Sequence, residues 1–151
     1  MIERAIQTVK VLPDCEAITI RSAHAGDCSG WPDPGKIERA MLNLLFNACE
    51  AVSPPTGRVD VTAERSSRGI EIRVADNGPG IPEPIRDTIF QPFASYGKEK
   101  GIGLGLTVAQ KLVQDHGGEV AVERSGPSGT VFWILLPKIE GPPPAQPSAR
   151  A

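Results

Sequence analysis

The sequence predicts an α+β fold, a two-layer α/β sandwich in which a mixed, mostly antiparallel sheet packs on helices. Three observations support this. Segments with helical and with alternating periodicity follow one another without the regular strand–helix–strand repeat of a parallel sheet. Polar or glycine-containing turns join two pairs of strands, as in antiparallel hairpins. The chain has 151 residues, of which 40% are hydrophobic, and this is enough for one packed core.

Apolar periodicity and turn residues predict each element in order. Spacing of 3.6 residues predicts helices over 1–12, 34–52, 84–90 and 104–116. Alternation predicts strands over 17–22, 59–63, 69–75, 119–124 and 130–136. The second helix has the clearest limits, with Asp33 as N-cap, Pro34 in the first turn and a Ser-Pro-Pro stop at 53–55. Gly117 and Gly118 are typical of a C-cap for the last helix.

Composition excludes several classes of function. We expect residues 1–140 to form one domain and residues 141–151, rich in Pro and Ala, to be a disordered tail. The formal net charge is −2 with both signs interspersed, so no footprint for nucleic acid exists. No apolar run reaches transmembrane length, so we expect a cytoplasmic domain without membrane contact, even if the parent protein is membrane-anchored. Three cysteines fit neither a zinc site nor a disulfide framework, which favours free thiols.

A polar stripe runs along the predicted second helix. Asn43, Asn47 and Glu50 are spaced i, i+4 and i+7, which places them on one face beside the apolar one. Amides inside a helix cost helix propensity, so a function often accounts for them. An amide oxygen is a hard, neutral ligand suited to Mg²⁺, which also binds phosphate oxygens. The alternative interpretation is a solvated polar face.

A carboxylate and two glycines follow the third predicted strand. Asp76 stands where the chain leaves the sheet, and a carboxylate there accepts a hydrogen bond from an exocyclic amine such as that of adenine. Guanine presents a carbonyl at that position and would leave the acid unpaired. Gly78 and Gly80 allow a flat base to approach the backbone. The alternative is a simple turn, because Asn-Gly is a strong turn signal.

A second glycine cluster opens the last predicted helix. Backbone N–H groups of Gly101, Gly103 and Gly105 at a helix N-terminus are suited to phosphate. The spacing differs from the dinucleotide fingerprint, and Lys98 is followed by an acid rather than by the Ser or Thr of a Walker loop. Lys98 either contacts phosphates from a mobile loop at 94–101 or is a solvated lysine.

Taken in this order, the motifs resemble the ATP-binding catalytic domain of sensor histidine kinases. That domain belongs to the group shared with gyrase, Hsp90 and MutL and has the Bergerat-type fold. The similarity spans residues 18–137. Its motifs are an asparagine box at 43–48, a first glycine box at 76–81, a phenylalanine box at 89–93, a second glycine box at 101–106 and a terminal strand at 129–132.

The resemblance implies ATP and Mg²⁺ as cofactors. Asn47 would ligate Mg²⁺ and, with Asn43, form the catalytic pair, while Asp76 would read adenine and residues 91–101 would form the ATP lid. The residues implied at the nucleotide are Asn43, Asn47, Glu50, Asp76, Gly78, Gly80, Ile81, Lys98, Gly101, Gly103, Leu104, Gly105 and Thr130. Two departures stand out: the lid is one residue longer than the usual Thr-Thr-Lys pattern, and Glu50 replaces a basic residue common in the family.

The resemblance also bears on whether this domain is a kinase or an ATPase. The hydrolysing relatives carry a general-base glutamate where this chain has Asn43, and an amide cannot take a proton at neutral pH. Neither His24 nor His116 has the sequence context of a phosphoacceptor. We therefore expect a donor of phosphoryl groups to a histidine-containing dimerisation domain, in cis or in trans, with a response regulator as the indirect partner. The alternatives are an anti-sigma-type serine kinase and a nucleotide-gated binding module.

Overall fold

The computed structural model describes residues 2–13, 15–25, 34–52, 56–90 and 105–137. Helices α1 to α3 span Ile2–Lys10, Pro34–Ala51 and Gly105–Gln114, and a 3₁₀ helix spans Glu83–Thr88. Strands β1 to β5 span Thr19–Ala25, Arg58–Ser66, Gly69–Asp76, Glu119–Gly126 and Gly129–Pro137. The strands form one sheet in the order β1-β2-β3-β5-β4. The predicted α+β sandwich is confirmed.

Strand pairing explains why the sheet is mixed. β1 and β2 are parallel, with α2 in the connection between them, and the pairs β2–β3, β3–β5 and β5–β4 are antiparallel. The register places Asp76 at the end of β3, opposite Thr130 of β5 on one side and Val59 of β2 on the other. A β-bulge interrupts the β4–β5 pairing between Val122 and Arg124.

The core lies between one face of the sheet and the helices. Alternate residues of β2 and β3 are buried, as the period of two in a strand requires, whereas β5 is buried on both faces, with Val131 and Leu135 covered as well. α2 is central, because it packs against α1, α3 and the sheet. Leu44 and Leu45 of α2 have no exposed surface. Burial of such a stripe, rather than helix propensity, stabilises the helix.

The opposite face of the sheet carries polar groups, and none of the described helices packs on it. Arg73 of β3 forms an ion pair with Glu123 of β4 at 2.8 Å. The Trp133 indole Nε1 donates to Glu71 at 2.9 Å, and this bond is the main reason why the pKa of Glu71 lies below its usual value. The Arg68 guanidinium lies 5.5 Å from the centroid of the Trp133 ring. This face explains the two-layer architecture.

Two predicted elements differ in detail. The helix expected at 84–90 is a short 3₁₀ helix over Glu83–Thr88, with Pro82 at its N-cap and Pro84 in its first turn. The strand expected at 17–22 begins two residues later, because the Ile18 N–H is used in a turn to Cys15 O and pairing with β2 starts at Thr19. It continues to Ala25 along β2.

The helix cap and the cysteines can also be compared with the sequence. The predicted C-cap of α3 is present, with Gly117 at φ +77° and the Gly118 N–H donating to Val113 O at 3.0 Å. Cys15 and Cys49 are buried thiols, and burial, followed by a hydrogen bond between them, raises the pKa of Cys49. Across the described ranges, no helix combines the length and apolarity needed to span a bilayer.

Several expectations fall outside the described residues. These are the Asp33 cap, the Ser-Pro-Pro stop at 53–55, Cys28, the lid at 91–101, most of the second glycine box and the tail at 141–151. The division into residues 1–140 and 141–151 therefore stays a prediction.

The central position of α2 gives a stability prediction. Leu45→Ala should lower the free energy of unfolding by about 2–5 kcal/mol, because it removes a fully buried side chain and leaves a cavity. Val11→Ala, at a side chain that is 75% exposed, should change it by less than about 0.5 kcal/mol. Urea unfolding followed by circular dichroism measures both. Equal effects of the two substitutions would contradict the assigned core.

Candidate functional site

Three polar residues are buried within the described part of the chain. They are Asn47 on α2, Asp76 at the end of β3 and Thr130 at the start of β5. A buried polar group costs free energy unless it is compensated, so such groups are seldom placed in a core without a reason. All three are residues that the sequence predicted for a nucleotide site. The rest of the core is apolar, so the three mark one functional region.

The Asp76 carboxylate is fixed by backbone donors. The Gly78 N–H donates to Asp76 Oδ1 at 2.9 Å, and the Thr130 N–H is the second backbone donor to this carboxylate. Burial nevertheless prevails, and the pKa of Asp76 is raised above its ordinary value, while the two hydrogen bonds oppose the shift. The carboxylate is thus held in one orientation by N–H groups that stabilise its ionised form.

Glycines permit close backbone contacts around Asp76. A Cβ at Gly78 would lie 2.4 Å from the carbonyl oxygen of Ala51, one turn after Asn47 on α2. A Cβ at Gly80, which has φ +89°, would lie 2.3 Å from Gly126 O. Glycine at these two positions therefore joins the first glycine box to the end of α2 and to the β4–β5 hairpin. A Cβ at Gly105 would meet no atom within 4 Å, so packing among the described residues does not require glycine at this position.

Asn77 anchors the same segment to β2. Its Oδ1 accepts from the Arg58 N–H at 2.8 Å, and its Nδ2 donates to Thr56 O at 2.9 Å. The Asn77 N–H also donates to Arg58 O at 3.2 Å. The side chain thus acts as a connector between two backbone segments, and sequence analysis did not single it out. The Asn-Gly pair was read only as a turn signal.

A second anchor joins the first glycine box to the last hairpin. The Ile81 N–H donates to Ser125 Oγ at 2.7 Å, and Ser125 Oγ lies 3.0 Å from Thr130 Oγ1. Arg86 of the 3₁₀ helix donates from Nε to Ile81 O at 3.0 Å and from Nη2 to Ser125 O at 3.3 Å. Sequence analysis did not find Ser125 or Arg86, because they are 39 residues apart. Only the fold brings them together.

The polar stripe of α2 lies next to this region. Asn47 is buried, whereas Asn43 and Glu50 are half-buried. The start of α3 is attached on the other side, where Thr107 Oγ1 donates to Phe90 O at 2.7 Å. The structure thus brings Asp76, Gly78, Gly80, Ile81 and Thr130 together, and the approach of Gly78 to Ala51 attaches the end of α2 to this segment. Lys98, Gly101, Gly103 and Leu104 lie outside the described residues.

The two histidines can be placed in the chain. His24 belongs to β1. His116 follows α3. Its Nδ1 lies 2.9 Å from Leu112 O, so the ring contacts a carbonyl group in the last turn of this helix.

A cavity of about 240 Å³ opens at the same end of the sheet. Asp76, Asn77 and Thr130 are among the residues that line it. Ala75 and Val131, which are register partners on the other face of the sheet, also contribute to its walls. The cavity therefore adjoins the candidate site at the end of β3 and extends towards the face opposite to α2.

The chain belongs to the family described as histidine kinase-, DNA gyrase B- and HSP90-like ATPases, whose model matches residues 32–140. This assignment defines a nucleotide-binding domain, and it agrees with the predicted resemblance.

Within this family, the chain is similar to sensor histidine kinases. It is 45% identical over 104 residues to the C4-dicarboxylate transport sensor protein DctB of Rhizobium meliloti, a match that covers 68% of the chain and 16% of that relative. It is 38% identical over 116 residues to the sensory histidine kinase/phosphatase NtrB of Vibrio alginolyticus, covering 70% of the chain and 33% of the relative. The chain thus spans a third or less of these two proteins.

Solved structures give the same result. The mycobacterial sensor histidine kinase MprB superimposes with a TM-score of 0.74 at 32% identity, covering 90% of this chain and 92% of that one. The catalytic domain of histidine kinase ThkA, in a nucleotide-free form, gives a TM-score of 0.74 at 30% identity, covering 90% and 91%. The chain is therefore a catalytic domain of the sensor histidine kinase type, and the individual roles of its site residues remain predictions.

The raised pKa of Asp76 predicts a pH effect on stability. Because the folded pKa lies above the ordinary value of 3.8, the native state binds the proton more tightly than the unfolded state. The contribution of Asp76 to stability is therefore lost as pH rises from about 3.8 through the raised folded pKa. Relative to Asp76→Asn, the wild type should gain stability as pH falls from 7 towards 4. Urea titrations of both proteins across this range measure the difference, and a pH-independent difference would contradict the burial effect.

Proposed function

We propose that this domain binds Mg-ATP and donates the γ-phosphoryl group to a histidine on a separate dimerisation domain. The observation that carries the proposal is the burial of three polar side chains, Asn47, Asp76 and Thr130, of which Asp76 and Thr130 are register partners. The histidine kinase ShkA supports it, because its full-length structure is in complex with AMPPNP and superimposes on this chain with a TM-score of 0.72 at 29% identity, covering 90% of this chain and 29% of that one.

Adenine is the base that the proposed site favours. The ionised Asp76 carboxylate only accepts hydrogen bonds, and its backbone donors hold it in position. An exocyclic amine satisfies it, whereas the carbonyl of guanine leaves two acceptors facing each other. Gly78 and Gly80 are packed against the backbone of Ala51 and Gly126, and this packing fixes the loop that follows Asp76.

Magnesium is the metal that suits the asparagine stripe. Across the described residues, no group of three His, Cys, Asp or Glu side chains is placed to hold a metal ion. Mg²⁺ suits a site with few protein ligands, because it keeps several waters and is also bound by phosphate oxygens. Asn47 would supply the protein ligand, with Asn43 and Glu50 beside it. Bound Mg²⁺ neutralises phosphate charge and so lowers the barrier to phosphoryl transfer.

The residue at position 43 favours transfer over hydrolysis. An amide cannot accept a proton from water, so Asn43 orients ligands without activating a nucleophile. The attacking group is then the imidazole nitrogen of the acceptor histidine. It forms the new N–P bond while the bond to the ADP oxygen breaks, and the protein's part is positioning and charge stabilisation. This proposal includes an acceptor dimerisation domain, in cis or in trans, and a response regulator as the indirect partner. It also includes a cytoplasmic location and no contact with membrane or nucleic acid.

The first test concerns base specificity. The domain should bind Mg-ATP and fail to bind Mg-GTP, and Asp76→Asn should weaken ATP binding by about tenfold or more, because an amide replaces a charge-assisted acceptor. Isothermal titration calorimetry with both nucleotides measures this. Asp60→Asn is the matched control, since it makes the same change on the sheet face opposite to α2, at a carboxylate paired with Arg21, and should bind ATP like the wild type. Equal affinity for GTP would remove the proposed role of Asp76.

The second test separates phosphotransfer from hydrolysis. With radiolabelled ATP, the domain alone should turn over slowly and remain unlabelled. A histidine-containing dimerisation domain, added at high concentration, should gain an acid-labile, alkali-stable phosphate. Asn47→Ala should abolish this transfer, whereas the surface substitution Val11→Ala should not. Brisk steady-state ATP turnover by the domain alone would favour an ATPase, and an acid-stable phosphate would favour the serine-kinase alternative. Nucleotide binding without transfer to any acceptor would favour the binding module.

A further inference from the structure

The cavity at the end of the sheet has an arginine on each of two sides. Arg58 comes from β2 and Arg124 from β4, and both line the cavity. The two central strands, β3 and β5, lie between them and contribute the apolar side chains of Ala75 and Val131. On the sheet face opposite to α2, the cavity therefore combines an apolar floor with a cation on either side.

The β-bulge in β4 explains why Arg124 faces this cavity. Val122 pairs with Phe132 of the core, and in a regular strand the residue two positions later shares the same face. The bulge shifts the register after Val122, so that Arg124 pairs with Val131 on the opposite face. Bulges often redirect a side chain beside a functional site. Without this bulge, the Arg124 side chain would be directed towards the core.

The charge of Arg124 is not neutralised by its neighbours. The carboxylate of Glu123, the preceding residue, is paired with Arg73 at 2.8 Å. Among the residues that the structure describes, no carboxylate forms an ion pair with Arg124. A guanidinium presents five N–H donors in a planar fork that fits a carboxylate or phosphate group through two parallel bonds. Arg124 thus offers the cavity an unused binding group for an oxyanion.

Arg58 on the other side of the cavity is held in position. Its Nε lies 3.2 Å from Asp60 Oδ2, and its backbone N–H and C=O are both hydrogen-bonded to Asn77. Asp60 Oδ1 also accepts from Arg21 Nε at 2.8 Å, so one carboxylate is shared by two arginines. Together with Arg124, these side chains give the surroundings of the cavity an excess of positive charge, in a chain whose formal net charge is −2.

The geometry points to this cavity as a binding site for a small organic anion. Its acidic groups would bind Arg58 and Arg124, and its carbon body would lie on Ala75 and Val131. The volume of about 240 Å³ lies below the range of about 300–1,000 Å³ that is typical of pockets for drug-sized ligands, so a small molecule fits and a second nucleotide does not. Carboxylate and phosphate groups share the geometry that an arginine fork binds. The inference goes beyond the proposed function, because it concerns the opposite face of the sheet and requires no nucleotide.

The test uses the whole chain and two probes, inorganic phosphate and glutarate, each titrated at constant ionic strength. The amide signals of Ala75, Gly129 and Val131 are followed by NMR, because these residues line the cavity. Glutaramide, which has the same carbon body without the charges, is the control ligand. The two probes separate a phosphorylated ligand from a dicarboxylate.

Substitutions test the two sides of the cavity. Arg124→Gln should raise the dissociation constant by about tenfold or more, because the charge-assisted hydrogen bonds are lost. Arg124→Lys should have an intermediate effect, since it keeps the charge and loses the planar fork. Arg58→Gln should also weaken binding. Arg68→Gln is the matched control, because it removes an arginine that lies beside Trp133, outside the cavity, and it should bind the probes like the wild type.

The location of the bound probe decides between this cavity and the proposed nucleotide site. We expect a saturable response of the cavity signals to at least one probe, and this response should persist with saturating Mg-ADP. Phosphate at the nucleotide site would instead shift the signals of Asn47 and Gly105 and would be displaced by Mg-ADP, and that result would overturn the inference.

Three other results would also contradict the anion site. They are no saturable response to either probe, an equal response to glutaramide, and an unchanged dissociation constant in Arg124→Gln. A response to phosphate alone identifies a phosphorylated ligand and a response to glutarate alone a dicarboxylate, and both support the site. If the wild type does not bind Mg-ADP, the proposed function fails, whereas the position of the shifted signals still tests this inference.

Discussion

The register between β3 and β5 is the constraint on which the candidate site depends. It places Asp76 opposite Thr130, so that the backbone of one strand end supplies a hydrogen bond to the carboxylate on the other. A slip of β5 by one residue would turn Thr130 to the opposite face of the sheet and separate it from Asp76. Gly129 maintains this close pairing, because a Cβ there would lie 2.0 Å from Asp76 O and its φ of +140° disfavours other residues. The charged group is tolerated in the core because this register compensates it.

α2 combines the two tasks of the domain in one helix. Its apolar face carries the centre of the core, and its polar stripe carries Asn43, Asn47 and Glu50. The contact of Gly78 with Ala51 O ties the end of this helix to the loop after Asp76. Packing of the core and placement of the predicted metal and base ligands are therefore coupled. A helix held on three sides by α1, α3 and the sheet is a rigid support for such ligands.

Local patterns were sufficient to predict the fold class and two of the buried polar residues, whereas Thr130 was implied only by the family resemblance. Asn47 and Asp76 stood out because an amide in an apolar helix and an acid at a strand end break the local pattern. Patterns within one segment could not reveal Asn77 as a connector or Ser125 and Arg86 as an anchor. Their partners come from other segments, and the hydrogen bonds exist only after the chain has folded. The short helix expected at 84–90 is present as a 3₁₀ helix over Glu83–Thr88.

The strand order leaves β4 at one edge of the sheet, and its irregular pairing has a consequence for self-association. An edge strand exposes unpaired backbone groups that another chain can extend into a continuous sheet. The bulge between Val122 and Arg124 breaks the regular spacing of those groups, and Glu119, Glu123 and Arg124 add exposed charge along the same strand. A second copy of the domain therefore meets a poor template on this side. The bulge therefore protects the domain against edge-to-edge aggregation.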